Sequence, residues 1–174
     1  MCALACSGCG AGDTAIAGPT CGNWKVFANA GFGISIRYPA DWHVTHDSLT
    51  EVVWPPEILA VSSFPLAQTE PDPNCAPVTA RSAMPENGVF IYLFENTGAP
   101  SLKDASLKEF PSRSEQFTLD KPVNYECFGM SHRVAFRERD RLFQAMVAFG
   151  PKTGAEMRET VLEVLDSFEV LREV

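Results

Sequence analysis

The stretch of residues 31–42, Gly-Phe-Gly-Ile-Ser-Ile-Arg-Tyr-Pro-Ala-Asp-Trp, constrains the fold more than any other part of the chain. Its apolar side chains alternate with small or polar ones at period two, which predicts a half-buried strand from Phe32 to Tyr38. Pro39 removes a backbone donor and fixes φ, so the strand must end there. The chain then turns, and Trp42 returns a large apolar side chain to the core. This pattern predicts a feature of the fold and not an active site.

The composition indicates one globular domain with an acidic surface. The 174-residue chain is 45% hydrophobic, which is enough for one sizeable core. Fourteen Lys and Arg residues against 22 Asp and Glu residues give a net charge of -8. Because this charge repels phosphate backbones and anionic lipids, nucleic acid is not an expected partner. No apolar run approaches the ~18 residues that a membrane span requires, so we expect the body of the chain to be soluble.

Hydrophobic periodicity predicts an antiparallel sheet with helical cover. The predicted strands are residues 24–28, 32–38, 58–64, 89–94, 115–119 and 123–128, followed by a hairpin over residues 132–149 with a charged turn at 138–141. Residues 89–94 are apolar on both faces, the pattern of a central strand that is covered on each side. Residues 65–87 are predicted to form a long irregular loop, and residues 102–110 a helical turn.

The last strong signal is a helix that follows Gly150-Pro151. Thr153 and Glu156 have the spacing of a capping box, which predicts that the helix begins at Thr153. Apolar side chains then recur at helical spacing as far as Phe168, so one stripe of the helix is expected to lie on the sheet. The elements together predict an α+β fold in a single domain over residues 22–174.

Two segments resemble the PsbP/Mog1-like superfamily. These are the strand that ends in Tyr38-Pro39 and is followed after two residues by Trp42, and the closing helix with its Leu-Asp-Ser-Phe-Glu-Val strand at residues 165–170. The resemblance implies an α/β/α sandwich in which helices pack on an antiparallel sheet over residues 24–174. The superfamily includes an extrinsic photosystem II subunit, a Ran-binding nuclear import factor and bacterial surface lipoproteins of unknown role. The chain is most similar to the lipoprotein branch, which implies a fold but no particular activity.

The six cysteines fall into two groups. The first group lies in a segment of small residues and consists of Cys2, Cys6, Cys9 and Cys21. We interpret residues 1–21 as the remnant of an export signal and a flexible tether, with Cys6 as the candidate for lipidation. The spacing Cys-x3-Cys-x2-Cys is also that of radical-SAM clusters, and four cysteines are enough for zinc. Those two hypotheses lack the preceding strand and the second ligand pair that such sites require.

The second group consists of Cys75 and Cys127, inside the predicted domain. Export predicts a disulfide between them, because exported proteins fold in oxidising compartments. The alternative is two separate buried thiols. A bond would close a loop of about 50 residues and stabilise the fold by roughly 4 kcal/mol on the chain-entropy model. Cys9 and Cys21 are left as either paired or free.

One short segment invites a metal hypothesis. His43, His46 and Asp47 offer two imidazoles and a carboxylate within five residues. In an extended chain the two histidines point to opposite faces, and the sequence indicates no further side chain to complete the site. The segment is therefore interpreted first as a solvated loop and second as part of a metal-dependent hydrolase.

Other candidate sites have weaker patterns. Glu70, Asp72 and Asn74 supply oxygens for calcium, but without the glycine turn and the bidentate glutamate of an EF-hand. No Gly-x-Ser-x-Gly motif is present, and His132, at the start of a predicted strand, is interpreted as a structural histidine. The Trp-Pro-Pro run at residues 54–56 is either a packed turn or, if exposed, a recognition lip.

Two classes of function fit these patterns. The preferred hypothesis is a non-catalytic, extracytoplasmic binding or assembly module, tethered at the membrane and contacting another envelope protein. It requires no cofactor or metal, and the Pro-rich loop of residues 65–87 is its expected contact surface. The alternative is a metal-dependent hydrolase that uses His43, His46 and Asp47.

Overall fold

The computed structural model describes residues 24–52, 55–66, 70–96, 117–119 and 121–172. Within these ranges the chain is mostly antiparallel β-structure with two helices, which is an α+β arrangement. The strands are β1 (Trp24–Asn29), β2 (Ile34–Pro39), β3 (His43–Thr45), β4 (Glu57–Ser62), β5 (Val89–Glu95), β6 (Val123–Tyr125), β7 (Gly129–Glu138), β8 (Arg141–Phe149) and β9 (Glu169–Val170). The helices are α1 (Val78–Ser82) and α2 (Ala155–Asp166). Across the described ranges, neither helix combines the length and apolar character needed to cross a membrane.

The strands form two antiparallel sheets. The larger sheet has the order β3-β4-β5-β8-β7-β6, and the smaller sheet has the order β1-β2-β9. All seven residues of β5 are buried, which confirms that residues 89–94 form a central strand covered on both faces. The strands β7 and β8 form the predicted hairpin, and its two turn residues, Arg139 and Asp140, both have positive φ. That conformation matches the twist of the flanking strands.

The strand predicted within residues 31–42, the stretch that most constrains the fold, is present as β2. Its buried side chains are Ile34, Ile36 and Tyr38. Phe32 precedes the strand and packs against the core, while β1 pairs with β2 as the predicted hairpin. The Trp42 amide donates to the Pro39 carbonyl oxygen at 3.0 Å, so the chain turns as expected and buries the indole. This part of the sequence prediction is confirmed.

The first face of the six-stranded sheet is covered by α2 and the three-stranded sheet. Phe136 and Phe143 from the sheet contact Phe168, with ring centroids 5.4 and 4.7 Å from its own. The buried residues of α2 are Val161, Val164 and Leu165. They join the sheet residues in one apolar cluster, which confirms that the helix lays an apolar stripe on the sheet.

The second face is covered by α1 and connecting segments. The sheet contributes Ala60, Phe90, Tyr92, Phe94, Met146 and Ala148, and the covering segments contribute Leu49, Phe64 and Ala80. Partly buried Leu66, Met84, Tyr125 and Phe128 complete this smaller cluster. Successive side chains of a strand point to opposite faces of the sheet. The same strands therefore contribute alternate residues to this cluster and to the apolar cluster of the first face.

The predicted capping box is wrong. The helix α2 begins at Ala155, and its N-cap residue, Gly154, provides no side-chain cap. The Thr153 hydroxyl instead donates to the carbonyl oxygen of Gly88 at 3.1 Å. An acceptor that is distant in sequence, directly before β5, therefore engages the threonine, and the helix begins two residues later than the sequence pattern indicates.

Two loop and strand predictions are also corrected. The region predicted as a wholly irregular loop contains α1, because the Asp72 carboxylate accepts hydrogen bonds from the amide and hydroxyl of Thr79 in its first turn. The described end of the strand predicted at 115–119 is not a strand. Phe117 fills the core through its ring, 4.9 Å from Phe136, without pairing of its backbone in a sheet. The predicted helical turn at 102–110 lies outside the described residues.

Candidate functional site

Cys75 and Cys127 form a disulfide, with their Cα atoms 5.3 Å apart. The pairing is the one expected from the sequence, and it closes a loop with a sequence separation of 52 residues. Cys75 precedes α1, and Cys127 lies in the turn between β6 and β7. The bond therefore clamps the covering segment of the second face to the far edge of the six-stranded sheet. The cysteines of the N-terminal group, including the lipidation candidate Cys6, lie outside the described residues.

Arg81 of α1 lies close to the residue that follows that turn. A Cβ atom added to Gly129 would lie 3.2 Å from the Arg81 guanidinium, and Gly129 has a φ of +57°. Glycine is thus the residue that suits both the backbone conformation and the close approach. Burial lowers the pKa of Arg81 below its usual range. The contact holds the covering segment at a second point besides the disulfide.

A cavity of about 230 Å³ lies beside the disulfide, and we call it the disulfide cavity. The described residues that line it are Thr50, Val52, Pro55, Glu57, Cys75, Phe94, Cys127, Phe128 and Gln144. Its walls are thus mainly apolar and aromatic, with three polar side chains. No lysine or arginine is among these residues. Small-molecule sites commonly combine apolar walls with a few convergent polar groups, so this cavity is the leading candidate site.

The Glu57 carboxylate is the charged group of the disulfide cavity. One of its oxygens accepts a hydrogen bond from the Leu49 amide at 2.7 Å, and the other accepts one from the Thr50 hydroxyl. Within the described part of the chain, no cationic side chain forms an ion pair with it. A register shift after Glu57 places it opposite Phe94, so both residues are on the second face.

Tyr92 lies on the same face beneath the cavity wall. The side chain is 1% exposed, and its hydroxyl makes no hydrogen bond of ordinary distance and angle within the described structure. Burial, and secondarily the nearby Glu57 carboxylate, raise the pKa of Tyr92 above its usual range. The Tyr92 ring contacts Phe94 and Phe128 at centroid distances of 4.5 and 5.9 Å. Three aromatic rings and one carboxylate thus meet at this site.

A second carboxylate in the same sheet has a different environment. Glu95 lies on the first face and is 7% exposed. Its two oxygens accept hydrogen bonds from Nε and Nη2 of Arg141 at 2.7 and 2.5 Å. The same guanidinium lies 5.1 Å from the centroid of the Phe143 ring. This carboxylate therefore has its own cation, whereas Glu57 has only neutral donors.

Two further cavities are more open. A groove of about 740 Å³ lies between the β7–β8 turn and the C-terminal strand, with Arg139, Arg141 and Arg172 in its lining. A cavity of about 350 Å³ brings Asp47 and Glu70 together from two loops. Arg141 is already paired with Glu95. Neither cavity has the enclosed aromatic walls of the disulfide cavity.

The residues of the metal hypothesis have separate surroundings. His43 is exposed on the edge strand β3, and the exposed His46 ring lies 5.9 Å from that of Phe27. The Asp47 carboxylate accepts a hydrogen bond from the Thr45 hydroxyl at 3.3 Å. Throughout the described ranges, no group of three or more His, Cys, Asp or Glu side chains is arranged to hold a metal ion. These three residues therefore do not form a ligand set there.

The other predicted candidates are also dispersed. Asp72 binds Thr79, Glu70 lines the acidic cavity with Asp47, and Asn74 is exposed. His132 is buried, with its ring 5.3 Å from that of Phe149, which confirms the structural interpretation of this histidine. Of residues 54–56, Trp54 lies outside the described residues.

Apart from Cys75 and Cys127, sequence reasoning missed the polar residues of the disulfide cavity and the adjacent Tyr92. Their signals were faint: Gln144 is the polar residue in an otherwise apolar strand, and Glu57 directly follows two prolines. Tyr92 belongs to an apolar run in which its hydroxyl has no distinguishing neighbour. Short-range sequence patterns do not reveal the site, because Glu57, Tyr92 and Gln144 come from three different strands.

Comparisons with known proteins leave the family open. No family model matches the chain, and no curated protein matches it. Among solved structures, the chain is similar to a protein of Bacteroides thetaiotaomicron VPI-5482, with a TM-score of 0.41 and 15% sequence identity. The match covers 85% of this chain and 48% of that protein, so the chain spans about half the length of the solved structure.

Proposed function

We propose that this protein is a non-catalytic, extracytoplasmic binding or assembly module, held at the membrane by its N-terminal segment. The Cys75–Cys127 disulfide is the observation that carries this proposal. Disulfides persist in oxidising compartments and are rare where thiols are kept reduced. Residues 1–21 then act as a tether with Cys6 as the lipidation candidate, and residues 22–174 as one domain.

The disulfide also supports the binding role. It holds the segment of α1 against the turn after β6, so this surface is ordered before any partner arrives. Pre-ordering reduces the entropy that is lost on binding. Val78, at the start of α1, is 59% exposed and offers an apolar contact on this surface. We propose that another protein of the cell envelope binds here.

The finer fold assignment is part of the same proposal. We assign the chain to the lipoprotein branch of the PsbP/Mog1-like superfamily, with an α/β/α sandwich. Support comes from the turn in which Trp42 follows Pro39, and from the helix α2 that leads into β9. Both features belong to the segments that carry the resemblance.

Location is tested with the full chain in its native cells. Intact cells are treated with a membrane-impermeant, lysine-reactive biotin reagent, and free thiols are alkylated before lysis. We expect biotin on exposed lysines such as Lys25, and a single non-reduced peptide pair that links Cys75 and Cys127. A cytosolic protein serves as the control for lysis. Unlabelled lysines with both cysteines alkylated would overturn the extracytoplasmic assignment.

The contact surface is tested by two matched variants of the tagged full chain. Val78→Asp places a charge on the clamped surface, and Val26→Asp places one on the three-stranded sheet, where Val26 is 37% exposed. After chemical crosslinking in cells, we expect one envelope protein to be lost with Val78→Asp and retained with Val26→Asp. Loss with both variants, or with neither, would contradict this surface as the contact.

A further inference from the structure

We propose that the disulfide cavity binds a small organic cation, in which an ammonium group is attached to a compact apolar body. The Glu57 carboxylate would pair with the ammonium group, and the aromatic walls would contact the apolar body. This binding site goes beyond the protein contact proposed above, because it lies inside the cavity and not on the exposed surface of α1. Three observations support it: charge, wall chemistry and size.

The charge argument rests on two carboxylates of one sheet. Glu95 is paired with Arg141, as a partly buried charge requires. Glu57 is also shielded from water in part, yet within the described structure its hydrogen-bonding neighbours are all neutral: the Leu49 amide, the Thr50 hydroxyl and the adjacent Tyr92 hydroxyl. A carboxylate near apolar surroundings without a cation is costly. A ligand cation would supply the charge that Arg141 supplies to Glu95.

The other polar groups favour the same ligand. The Gln144 amide nitrogen donates to the Met146 sulfur at 3.4 Å, and because Gln144 lines the cavity, its amide oxygen can serve as an acceptor for a ligand. The Thr50 hydroxyl already donates its proton to Glu57 and can only accept from a ligand. Acceptors therefore outnumber donors, which suits an ammonium group with its three donors. A carboxylate or phosphate ligand would meet repulsion from Glu57.

The walls suit a cation with an apolar body. Phe94 and Phe128 line the cavity with ring centroids 5.3 Å apart. Aromatic faces attract cations and also bury apolar surface. The Cys75–Cys127 bridge forms another wall that is polarizable and without charge. A hydrated inorganic cation would gain nothing from these walls, so we infer an organic one.

The size limits the ligand further. The volume of about 230 Å³ is below the roughly 300–1,000 Å³ of cavities that hold drug-sized ligands. One aromatic ring or a short aliphatic chain with a primary amine fits this volume. The ligand class is therefore a small primary amine in its protonated form.

The first test compares two probes on the purified, oxidised full chain. Benzylammonium and benzyl alcohol have nearly the same shape, but only the first carries a charge. By isothermal titration calorimetry at pH 7 we expect benzylammonium to bind with a Kd below about 1 mM. Benzyl alcohol should bind at least tenfold more weakly. Equal affinity for both probes, or no binding of benzylammonium, would overturn the proposal.

The second test separates the cavity from the acidic surface. Glu57→Gln removes the cavity charge, while Glu86→Gln removes an exposed charge that pairs with Lys152 outside the cavity. We expect benzylammonium affinity to fall at least tenfold in Glu57→Gln and to change less than twofold in Glu86→Gln. Equal losses in both variants would show non-specific attraction to a protein of net charge -8 and overturn the site.

Neither test depends on cellular location. If Glu57→Gln fails to fold, as judged by circular dichroism, equal affinity for the two probes on the wild type would still overturn the proposal. Failure of amine binding leaves the extracytoplasmic assignment in place, because that assignment is tested by labelling of intact cells. Cytosolic location, in turn, leaves the measured affinity for benzylammonium unaffected.

Discussion

The first face of the six-stranded sheet is covered by a helix and a second sheet, whereas the second face is covered by a short helix and connecting segments. On the first face Phe143 is fully buried, and Phe136 and Phe168 pack around it. On the second face the disulfide and the turn after β6 hold the cover in place, and a cavity remains. Regular elements bury apolar side chains with few gaps, and the groove beside Glu95 and Arg141 lies open at the edge of the first face. The irregular cover of the second face instead leaves a more enclosed cavity.

The polar groups of the two faces follow the same contrast. The buried carboxylate of the first face, Glu95, is neutralised by Arg141. On the second face, Glu57 has neutral donors, and the hydroxyl of Tyr92 makes no ordinary hydrogen bond in the described structure. Unsatisfied polar groups reduce stability and are often found at functional sites. We therefore propose that the first face serves stability and that the second face serves binding.

The largest loss of folding stability is expected from Phe143→Ala on the first face. Phe143 is 0% exposed and contacts two other rings, so its truncation should cost about 4 to 5 kcal/mol of unfolding free energy. Phe94→Ala on the second face is the matched variant, and it should cost about 3 kcal/mol because Phe94 already borders a cavity. Urea unfolding measures both. A larger loss for Phe94→Ala would reverse the assignment of the two faces.

Loss of the disulfide should cost nearly as much. The double variant Cys75→Ser/Cys127→Ser releases a loop with a sequence separation of 52, which corresponds to about 4 kcal/mol on the chain-entropy model. We expect hydrogen exchange to increase most in α1 and β6, the elements that flank the bond. Uniform acceleration across β5 and β8 would instead show that the first face depends on the bond equally.

Removing the partner of Glu95 should have an intermediate effect. Arg141→Met leaves that carboxylate buried without a cation and should cost about 2 kcal/mol, since the Arg141 side chain is 25% exposed and fully buried pairs cost more. Adding Glu95→Gln should restore part of the loss. On the second face, Glu57→Gln should change stability by less than about 1 kcal/mol, because it removes a charge that has no cation. Equal losses for Arg141→Met and Glu57→Gln would remove the contrast.

The smallest change in folding stability at pH 7 is expected from Tyr92→Phe. Its hydroxyl has no ordinary hydrogen bond to lose, so at pH 7 the variant should match the wild type within about 1 kcal/mol. Because burial raises the pKa of Tyr92, the folded state keeps its proton above pH ~10, where the unfolded state loses it. Wild-type stability should therefore fall by up to about 1.4 kcal/mol per pH unit above pH ~10 relative to Tyr92→Phe. Parallel pH dependence of the two proteins in urea unfolding would contradict the buried, neutral tyrosine.

Local patterns predicted most of the elements. Alternation at period two marked β2 and the β7–β8 hairpin, and the apolar run of β5 marked its central position. Helical spacing marked the stripe of α2 that packs on the first face. These features depend on residues that are close in sequence, and burial of one side of a strand or helix is encoded by its own period.

Local patterns were insufficient where a distant group competes. Thr153 has the spacing of a capping residue, yet its hydroxyl donates to the carbonyl oxygen of Gly88, directly before β5. The helix α1 was hidden in a loop with many prolines, because its first turn is stabilised by Asp72, seven residues before Thr79. The periodicity of hydrophobic residues contains neither contact, because both depend on specific side-chain hydrogen bonds.

The sequence alone determined the α+β class, the central strand, the apolar stripe of α2 and the two cysteines available for pairing. Each of these features follows from the composition or from the spacing of residues that are close in sequence. The tertiary structure decided the site. Glu57, Tyr92 and Gln144 belong to three different strands, and the pairing of β4 with β5 and of β5 with β8 brings them to one face. A register shift beside Glu57 decides which face its carboxylate joins, since shifting a strand by one residue exchanges its two sides.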